Sequence, residues 1–340
     1  MQNNKPNQIT VSNPLPSCLP EDGPKALSSE SRKRISQLSR PVPIRYAWGI
    51  LKTWLTIAIA ICAAVHFQNL FVSLLVILIV AGRQLALGFL MHEQAHYLGI
   101  KSRWGDLIAN CFVAYPLLVV SVEDYARVHL THHKFYFSDR DPDLLRKSGR
   151  HWTFPMKLSR LLFLFLTDFF ALNLIKTVVG KNKKIGTLNV KRLSPSYPWL
   201  KFVYLAVSAT FFTFTHSWNI FLLYWLLPLL TVLQVFIRVG AICEHVYIPT
   251  APLETSTAII IPSWWESLIF PHLNFFYHIY HHYFPGVPFS HLPEVHRIFV
   301  KEGLVKDEHV FKSIIEYFNL LTSPDRSKPV ILPHKISDLA

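Results

Sequence analysis

Two pairs of long apolar segments restrict the folds that are open to this chain. Segments 47–66 and 69–90 are separated by a very short turn, and segments 199–216 and 220–242 form a second pair around another short turn. A helix that crosses a bilayer needs about 20 predominantly apolar residues. We therefore expect an all-α integral membrane protein with two transmembrane helical hairpins, which together make four spans.

The composition agrees with a membrane protein and argues against a nucleic-acid partner. Charged residues make up 16% of the 340 residues and hydrophobic residues 51%, whereas soluble domains carry about a quarter charged residues. The net charge is +13, but the basic residues are spread between the apolar segments, and no zinc-finger, RNP or basic-helix pattern accompanies them. Positive charge on one side of a membrane explains the excess better.

The polar regions predict the topology and the domain boundaries. Lys and Arg are plentiful in 97–197 and 246–340, whereas the outer turns of the hairpins carry neither. The positive-inside tendency then places both termini and both polar regions in the cytosol. We expect a disordered basic cytosolic tail at 1–45, a membrane domain at 46–300 and a C-terminal cytosolic extension at 301–340.

Three tight histidine clusters lie on the predicted cytosolic face. They read HEQAH, HLTHH and HIYHH, and on a helix a spacing of three or four residues places the rings on one face. Neutral imidazole binds iron, zinc, copper and nickel, and eight imidazoles exceed the four ligands of one tetrahedral zinc. The sequence therefore predicts a centre of two metal ions in a cytosolic cap. The clustered histidines are His92, His96, His129, His132, His133, His278, His281 and His282.

His245 is a ninth candidate ligand. It lies seven residues beyond Arg238, and His92 lies nine residues beyond Arg83. If both arginines snorkel to the cytosolic interface, the two histidines lie at nearly the same height. A lone histidine often has only a structural role, but the matched height and the preceding Glu244 favour a ligand.

Carboxylates beside the clusters have two interpretations each. HEQAH also matches the zinc-protease signature, in which Glu93 would be the general base. Because two further clusters have no place in that mechanism, we expect Glu93 to support a ligand or to face solvent. Asp139, Asp141 and Asp143 follow the second cluster. They either form a solvated turn, or one of them binds the outer N–H of a ligating imidazole.

Two other apolar stretches are short or interrupted. Segment 107–120 contains Pro116 and is too short to span, so an interfacial or re-entrant position is expected. Segment 161–179 is long enough, but Asp168 interrupts it, and a carboxylate inside a membrane requires a reason. One extra span would also separate the histidine clusters onto opposite faces. We therefore expect 161–179 to lie at the membrane surface.

The pattern HxxxH, HxxHH and HxxHH, together with two helical hairpins, resembles the membrane fatty acid desaturase and hydroxylase superfamily over roughly residues 47–300. The sequences HEQAH, HLTHHKFYFSDRDPDLL and HIYHHYFPGVPFSHLPEVH are similar in particular to the bacterial branch that includes the dihydrorhizobitoxine desaturase. One position departs from the pattern, because Tyr277 precedes the last triplet where many members carry Gln or Gly.

This resemblance implies a non-haem di-iron centre, bound by the eight clustered histidines and by His245, that activates O₂ and abstracts hydrogen from an unactivated C–H bond. It implies a lipid or acyl-chain substrate. The chain carries neither an HPGG motif nor a CxxC-rich cluster motif, so a separate ferredoxin or b-type cytochrome is expected to supply electrons. The leading hypothesis is an O₂-dependent desaturase. Alternatives are a hydroxylase on the same fold, an intramembrane zinc protease and a non-enzymatic membrane metal carrier.

Overall fold

The computed structural model describes residues 15–118, 121–147, 149–179 and 186–323, and within these ranges nearly all of the regular secondary structure is helical. The α-helices are α1 (Ser29–Leu38), α2 (Pro43–Phe67), α3 (Leu70–Ala95), α4 (Gly105–Ala109), α5 (Val122–Lys134), α6 (Pro142–Arg146), α7 (Leu158–Phe169), α8 (Leu172–Val179), α9 (Leu200–Phe214), α10 (Trp218–Phe221), α11 (Leu227–Leu230), α12 (Val232–Glu244), α13 (Leu253–Ser256), α14 (Trp264–Ile269), α15 (His278–Tyr283), α16 (Leu292–Lys301) and α17 (Ile314–Thr322). Two short strands, β1 (Ile259–Ile260) and β2 (Val310–Phe311), pair in parallel.

Shorter helical turns complete these elements. In the described part of the chain, two π-helical turns extend α4 and α10, one 3₁₀ turn precedes α1, and three further 3₁₀ turns lie between later helices. The π-helical turns are Asn110–Ala114 and Leu222–Leu226, and the 3₁₀ turns are Gly23–Ala26, Tyr115–Leu117, Phe289–His291 and Asp307–His309.

Three helical stretches in the described part of the chain are long and apolar enough to cross a membrane: Pro43–Phe67, Leu70–Ala95 and Trp218–Glu244. The third is a continuous path through α10, a π-helical turn, α11 and α12. The fourth predicted span corresponds to α9, which is apolar but only 15 residues long. The all-α membrane architecture is therefore confirmed, while the fourth span stays a prediction.

The first hairpin closes through a turn that its sequence encodes. α2 ends at Gln68, which adopts a left-handed backbone conformation with φ 46°. Asn69 then caps α3, because its side-chain oxygen accepts hydrogen bonds from the backbone N–H groups of Phe71 and Val72. Asparagine is among the preferred residues at this position. The antiparallel packing of α2 on α3 follows from this two-residue connection.

The segment 161–179 is two helices rather than one. α7 and α8 meet at Ala171, which has φ 55°. Asp168, near the end of α7, is buried and pairs with the buried guanidinium of Arg238 on α12, through hydrogen bonds from Nε and Nη2. This ion pair explains the carboxylate in an apolar segment. It also corrects the expectation that Arg238 snorkels to the interface, because a buried charge needs a partner.

The prediction of a disordered tail at 1–45 is wrong for residues 15–45, and residues 1–14 lie outside the described residues. Leu19 and Ile35 are buried in the main core. The backbone N–H of Lys306 donates to the carbonyl of Cys18 at 2.9 Å, and Arg34 pairs with Glu294. The polar composition of this segment suggested disorder. Its few apolar residues, such as Leu19 and Ile35, are nevertheless buried in the main core.

The chain beyond residue 300 likewise does not form a separate extension as far as residue 323, where the described chain ends. β2 pairs with β1, and the Tyr317 hydroxyl donates to the carbonyl of Ile242 at 3.2 Å. Tyr317 and Leu321 are fully buried in the main core. The main hydrophobic core therefore includes described residues from Leu15 to Leu321, and the predicted boundaries at 45/46 and 300/301 do not separate structural units.

Candidate metal centre

The structure brings all nine predicted histidines together at one end of the helical bundle. α3 ends beside His96, α5 carries the second cluster, α15 carries the third, and His245 directly follows α12. Six of the nine side chains are buried, and His96, His133 and His282 are half-buried. Segments that lie up to 190 residues apart in the chain thus converge on a single site.

Five of these histidines form one group, whose candidate ligand nitrogens lie within 4.8 Å of one another: His92, His96, His129, His133 and His281. We call it the five-histidine group. The Nε2 atom of His129 lies 2.9 Å from Nε2 of His96 and 3.0 Å from Nε2 of His133. The Nε2 atom of His133 in turn lies 3.1 Å from Nε2 of His281.

The remaining histidines form a second group beside the first. His132, His245 and His282 share a set of close nitrogens, and Nε2 of His278 lies 3.2 Å from Nε2 of His282. We call these four residues the four-histidine group. The two groups touch where the rings of His133 and His282 stack, with their centroids 4.3 Å apart.

These contacts fit shared metal ions better than hydrogen bonds. An imidazole Nε2 is either one donor or one acceptor, yet Nε2 of His129 faces two other Nε2 atoms. Two nitrogens bound at about 2.0–2.1 Å to one ion, at right angles to each other, lie roughly 3 Å apart. The observed separations of 2.9–3.2 Å match that spacing. Both groups therefore fit one ion each.

Burial disfavours the charged form of several of these imidazoles, and metal binding requires the neutral form. Burial, together with the charge of Arg192, lowers the pKa of His96 to about 3. Burial also lowers the pKa values of His278, His281 and His282 well below the usual value. In the described part of the chain, both ring nitrogens of His92 lack a hydrogen-bond partner. Buried unpaired polar atoms are unfavourable, and a bound cation would satisfy one of them.

Two ligands of the four-histidine group are oriented through their outer nitrogens. Nδ1 of His132 donates to the Asp141 carboxylate at 2.9 Å, and both side chains are buried. Nδ1 of His245 lies 2.7 Å from the Thr257 hydroxyl and 3.3 Å from the Tyr136 hydroxyl. Such contacts fix the ring orientation and direct Nε2 toward the ion.

Asp141 has a second role at the end of the second cluster. Its carboxylate accepts hydrogen bonds from the backbone N–H groups of Phe137, Asp143 and Leu144, so that it caps α6. Of the three aspartates that follow the second cluster, Asp141 is therefore the one that contacts a candidate ligand, His132. The ligand-supporting interpretation therefore applies to Asp141, and the solvated-turn interpretation does not, because this side chain is fully buried.

The end of α3 is held by contacts that the sequence did not predict. The Arg192 guanidinium donates to the carbonyls of Ala95 and Gln94 and to both oxygens of Asp106. A cation at a helix C-terminus is favourable because the last carbonyls carry negative partial charge. Arg192 thereby fixes the backbone next to His96.

Glu93 is also part of this support. It is buried, and its Oε1 accepts a hydrogen bond from the backbone N–H of Phe289 at 2.7 Å. The ring of Phe289 in turn stacks on the imidazole of His92, with centroids 4.9 Å apart. Glu93 therefore connects α3 to the chain that follows the third cluster, and the solvent-facing alternative is wrong.

A half-buried charge cluster lies beside the four-histidine group. Lys147 Nζ donates to Asp143 at 3.2 Å and to the Tyr247 hydroxyl at 2.6 Å, and it lies 3.7 Å from Glu244. Burial opposes the charge of Lys147, but Asp143, Tyr247 and Glu244 raise its pKa well above the usual value. The sequence analysis named Asp143 and Glu244 separately. No local pattern predicted that Lys147 contacts both of them.

A cavity of about 660 Å³ adjoins the candidate metal centre. At one end it is lined by charged side chains, including Asp143, Lys147 and Glu244. It passes the imidazoles of His92, His129, His132 and His278 and continues between α3 and α12. There the lining is mainly apolar, with Leu85, Phe89, Leu229 and Leu233. Small-molecule sites are typically cavities of this size with few polar groups.

Comparison with known proteins gives one family. A comparison with curated proteins finds no match. A family model described as fatty acid desaturase matches residues 69–314, which is well over half of the chain. That range contains all nine histidines and both of their groups. The chain therefore belongs to the fatty acid desaturase family.

Proposed function

We propose that this protein is an O₂-dependent membrane desaturase that introduces a double bond into a fatty acyl or similar apolar chain. The observation that carries the proposal is the arrangement of nine imidazoles in two adjoining groups beside a cavity with one charged and one apolar end. The family supports a desaturase or hydroxylase type of oxidoreductase. The similarity to the bacterial branch that includes the dihydrorhizobitoxine desaturase stays a prediction.

Each histidine group would hold one iron, and the two irons when bound would supply O₂ activation and hydrogen abstraction. All-nitrogen imidazole sites suit iron. In the net reaction, –CH₂–CH₂–, O₂, two electrons and two protons give –CH=CH– and two molecules of water. The chain's own residues orient the ligands, and the cavity wall holds the reacting carbons against the rings of His92 and His129.

The apolar limb of the cavity supports the acyl-chain part of the proposal. Burial of a methylene is favourable by about 0.8 kcal/mol, and the walls formed by α3 and α12 offer Leu85, Phe89 and Leu233 for that purpose. The charged end suits a polar head group. An amphipathic chain thus fits the cavity with its tail between the helices.

The membrane topology and the electron donor are further parts of the proposal. α9 exposes Phe202, Phe211 and Phe214 on its surface, which favours contact with lipid and a role as the fourth span. Both termini and the metal centre would then lie in the cytosol. A separate ferredoxin or b-type cytochrome would supply the two electrons, and no nucleic acid is involved.

The other candidate functions have weaker support. Hydrogen abstraction also leads to a hydroxylase, in which O₂, two electrons and two protons convert C–H into C–OH and one water. A zinc protease would require Glu93 as a free general base, but its carboxylate already accepts the Phe289 N–H. In addition, His92 and His96 share their group with three other histidines.

The experiment that tests the proposal is metal content per chain, with iron and zinc measured together on purified protein. About two irons per chain are expected, followed by O₂-dependent conversion of an acyl substrate in a reducing system, with products identified by mass spectrometry. An alkene product supports the desaturase and an alcohol the hydroxylase. One zinc with negligible iron would overturn both. Protein that exchanges iron readily and consumes no O₂ with any acyl substrate would indicate a metal carrier instead.

A further inference from the structure

Gly88 stands out among the glycines of the spanning helices. It lies on α3 one turn before His92, and it lines the apolar limb of the cavity. A Cβ atom built at Gly88 would meet no heavy atom of the described chain within 4 Å, apart from its own helix backbone and chain neighbours. The space beside Gly88 is therefore part of the cavity.

The other helical glycines in the spans lie close to neighbouring atoms. A Cβ atom at Gly82 would lie 2.9 Å from the carbonyl oxygen of Ile269, and one at Gly49 would lie 3.1 Å from Leu90 Cδ2. Gly240, which also lines the cavity, would place its Cβ 3.6 Å from Phe270. Gly49 and Gly82 thus allow neighbouring chain segments to pack closely against them, whereas no described segment packs closely against Gly88.

Glycine at this position also disfavours the helix. In a helix interior it is the least favourable residue after proline, and Gly88 has neither a positive φ nor a close neighbour that would require it. The packing of α3 thus gives no reason for a glycine. The free space that Gly88 leaves beside the ring of His92 does give a reason for a glycine at this position.

Gly88 lies between His92 and the part of the limb that Gln84 lines. Gln84, Gly88 and His92 follow at intervals of four residues, so they share one face of α3. Gly88 lies about 6 Å along the axis from His92, and Gln84 about 12 Å. A chain whose reacting carbons lie at the histidines must pass Gly88 to occupy the rest of the limb.

We propose that Gly88 is a specificity-determining residue, because the absence of its side chain admits the long apolar tail of the substrate beyond the reacting carbons. The proposal rests on the proposed function, since it assumes that the cavity holds an apolar chain. A larger side chain at position 88 fills this space and limits binding to chains with a short tail.

The test compares Gly88→Leu and Gly88→Ala with the natural protein. Binding of stearate and octanoate is measured by displacement of a fluorescent fatty acid from protein in nanodiscs, with the signal of empty nanodiscs subtracted. Each methylene of the fatty acid that can no longer be buried in the cavity lowers the binding affinity about fourfold. Gly88→Leu is therefore expected to weaken stearate binding by about tenfold or more, while octanoate binding changes less than about twofold.

The controls keep the result independent of folding. Gly186→Leu makes the same change at an exposed loop position and should leave both affinities unchanged. Gly88→Ala should give an intermediate stearate affinity. It should also give an equal or higher Tm, because alanine favours the helix and its methyl group meets no neighbour. Iron content per chain should stay at the natural value in every variant.

Two results would overturn the proposal, and they are distinguishable. If Gly88→Leu and Gly88→Ala keep the natural ratio of stearate to octanoate affinity, Gly88 does not determine specificity, although the acyl-chain function stands. If the natural protein binds neither fatty acid above the empty nanodiscs, the acyl-chain function itself is wrong, and this inference is wrong with it.

Discussion

The two histidine groups differ in how their rings are held. In the four-histidine group, the outer nitrogens of His132 and His245 bind Asp141 and Thr257, and among the described residues only Nδ1 of His278 in this group is buried without a partner. In the five-histidine group, Nδ1 of His281 and both ring nitrogens of His92 have no hydrogen-bond partner in the described part of the chain. Aromatic packing holds His92 instead, with Phe289 stacked at 4.9 Å and Phe275 edge-on at 5.1 Å.

This difference indicates two ways to orient a ligand. A hydrogen bond to an outer nitrogen fixes both the tautomer and the ring direction, so it contributes even before a metal is present. Packing against aromatic rings fixes the ring plane but leaves the nitrogens unpaired. We therefore expect the five-histidine group to depend more on the bound ion for its order, and the four-histidine group to depend more on its polar neighbours.

The largest expected effect comes from removing one ligand from either group. His281→Ala and His132→Ala should each reduce turnover by more than roughly 10- to 100-fold, which is the typical effect of mutating a residue that hydrogen-bonds to a metal ligand. Each of the two substitutions removes one of the side chains that would bind an ion directly. Turnover and iron per chain check this, and His66→Ala, at the far end of α2, should match the natural protein. Substantial activity in either ligand variant would contradict the two-ion centre.

Asp141→Asn should have the next largest effect. Both carboxylate oxygens of Asp141 accept hydrogen bonds, from His132 and from backbone N–H groups. Asparagine has only one acceptor atom at its end, because the other is an NH₂ donor, so at least one of these hydrogen bonds is lost. A decrease of about 10- to 100-fold in iron affinity or turnover is expected. Asp139→Asn, at an exposed neighbouring position, is the matched control. Equal behaviour of the two variants would show that Asp141 does not orient His132.

Thr257→Val should have a smaller effect on the same group. The valine keeps the shape and removes the hydroxyl 2.7 Å from Nδ1 of His245, while the Tyr136 hydroxyl remains 3.3 Å away. Loss of one neutral hydrogen bond predicts a reduction in turnover of about 3- to 10-fold. Thr255→Val is the control two residues away. A reduction as large as that of Asp141→Asn would mean that the hydroxyl does more than hold the ring.

Glu93→Gln should have the smallest effect, although Glu93 lies within the first cluster. The glutamine oxygen can still accept from the N–H of Phe289, so turnover should change less than about threefold. Steady-state turnover and iron content check this prediction. Complete loss of activity with iron content unchanged would instead indicate that the Glu93 carboxylate takes part in catalysis and does more than accept the Phe289 N–H.

The local parts of the fold were predictable from the sequence. The turn at Gln68 and Asn69 closes a hairpin because a cap and a left-handed residue lie between two apolar segments. The histidine spacings placed each cluster on one helical face. Gaps in this reasoning appear where a contact spans the chain. Arg238 was expected at the membrane interface, yet it pairs with Asp168, 70 residues away. The region 15–45 likewise contacts distant residues such as Glu294 and Lys306.

What the sequence alone determined is the set of candidate ligands, the membrane class and the family, because periodicity, apolar length and ligand chemistry are local properties. The tertiary structure decided the division of nine histidines into two groups, the choice of Asp141 among three aspartates and the cavity beside Gly88. These depend on how α3, α5, α12 and α15 pack together. No short segment encodes that packing, since the burial of each helix face depends on all the others.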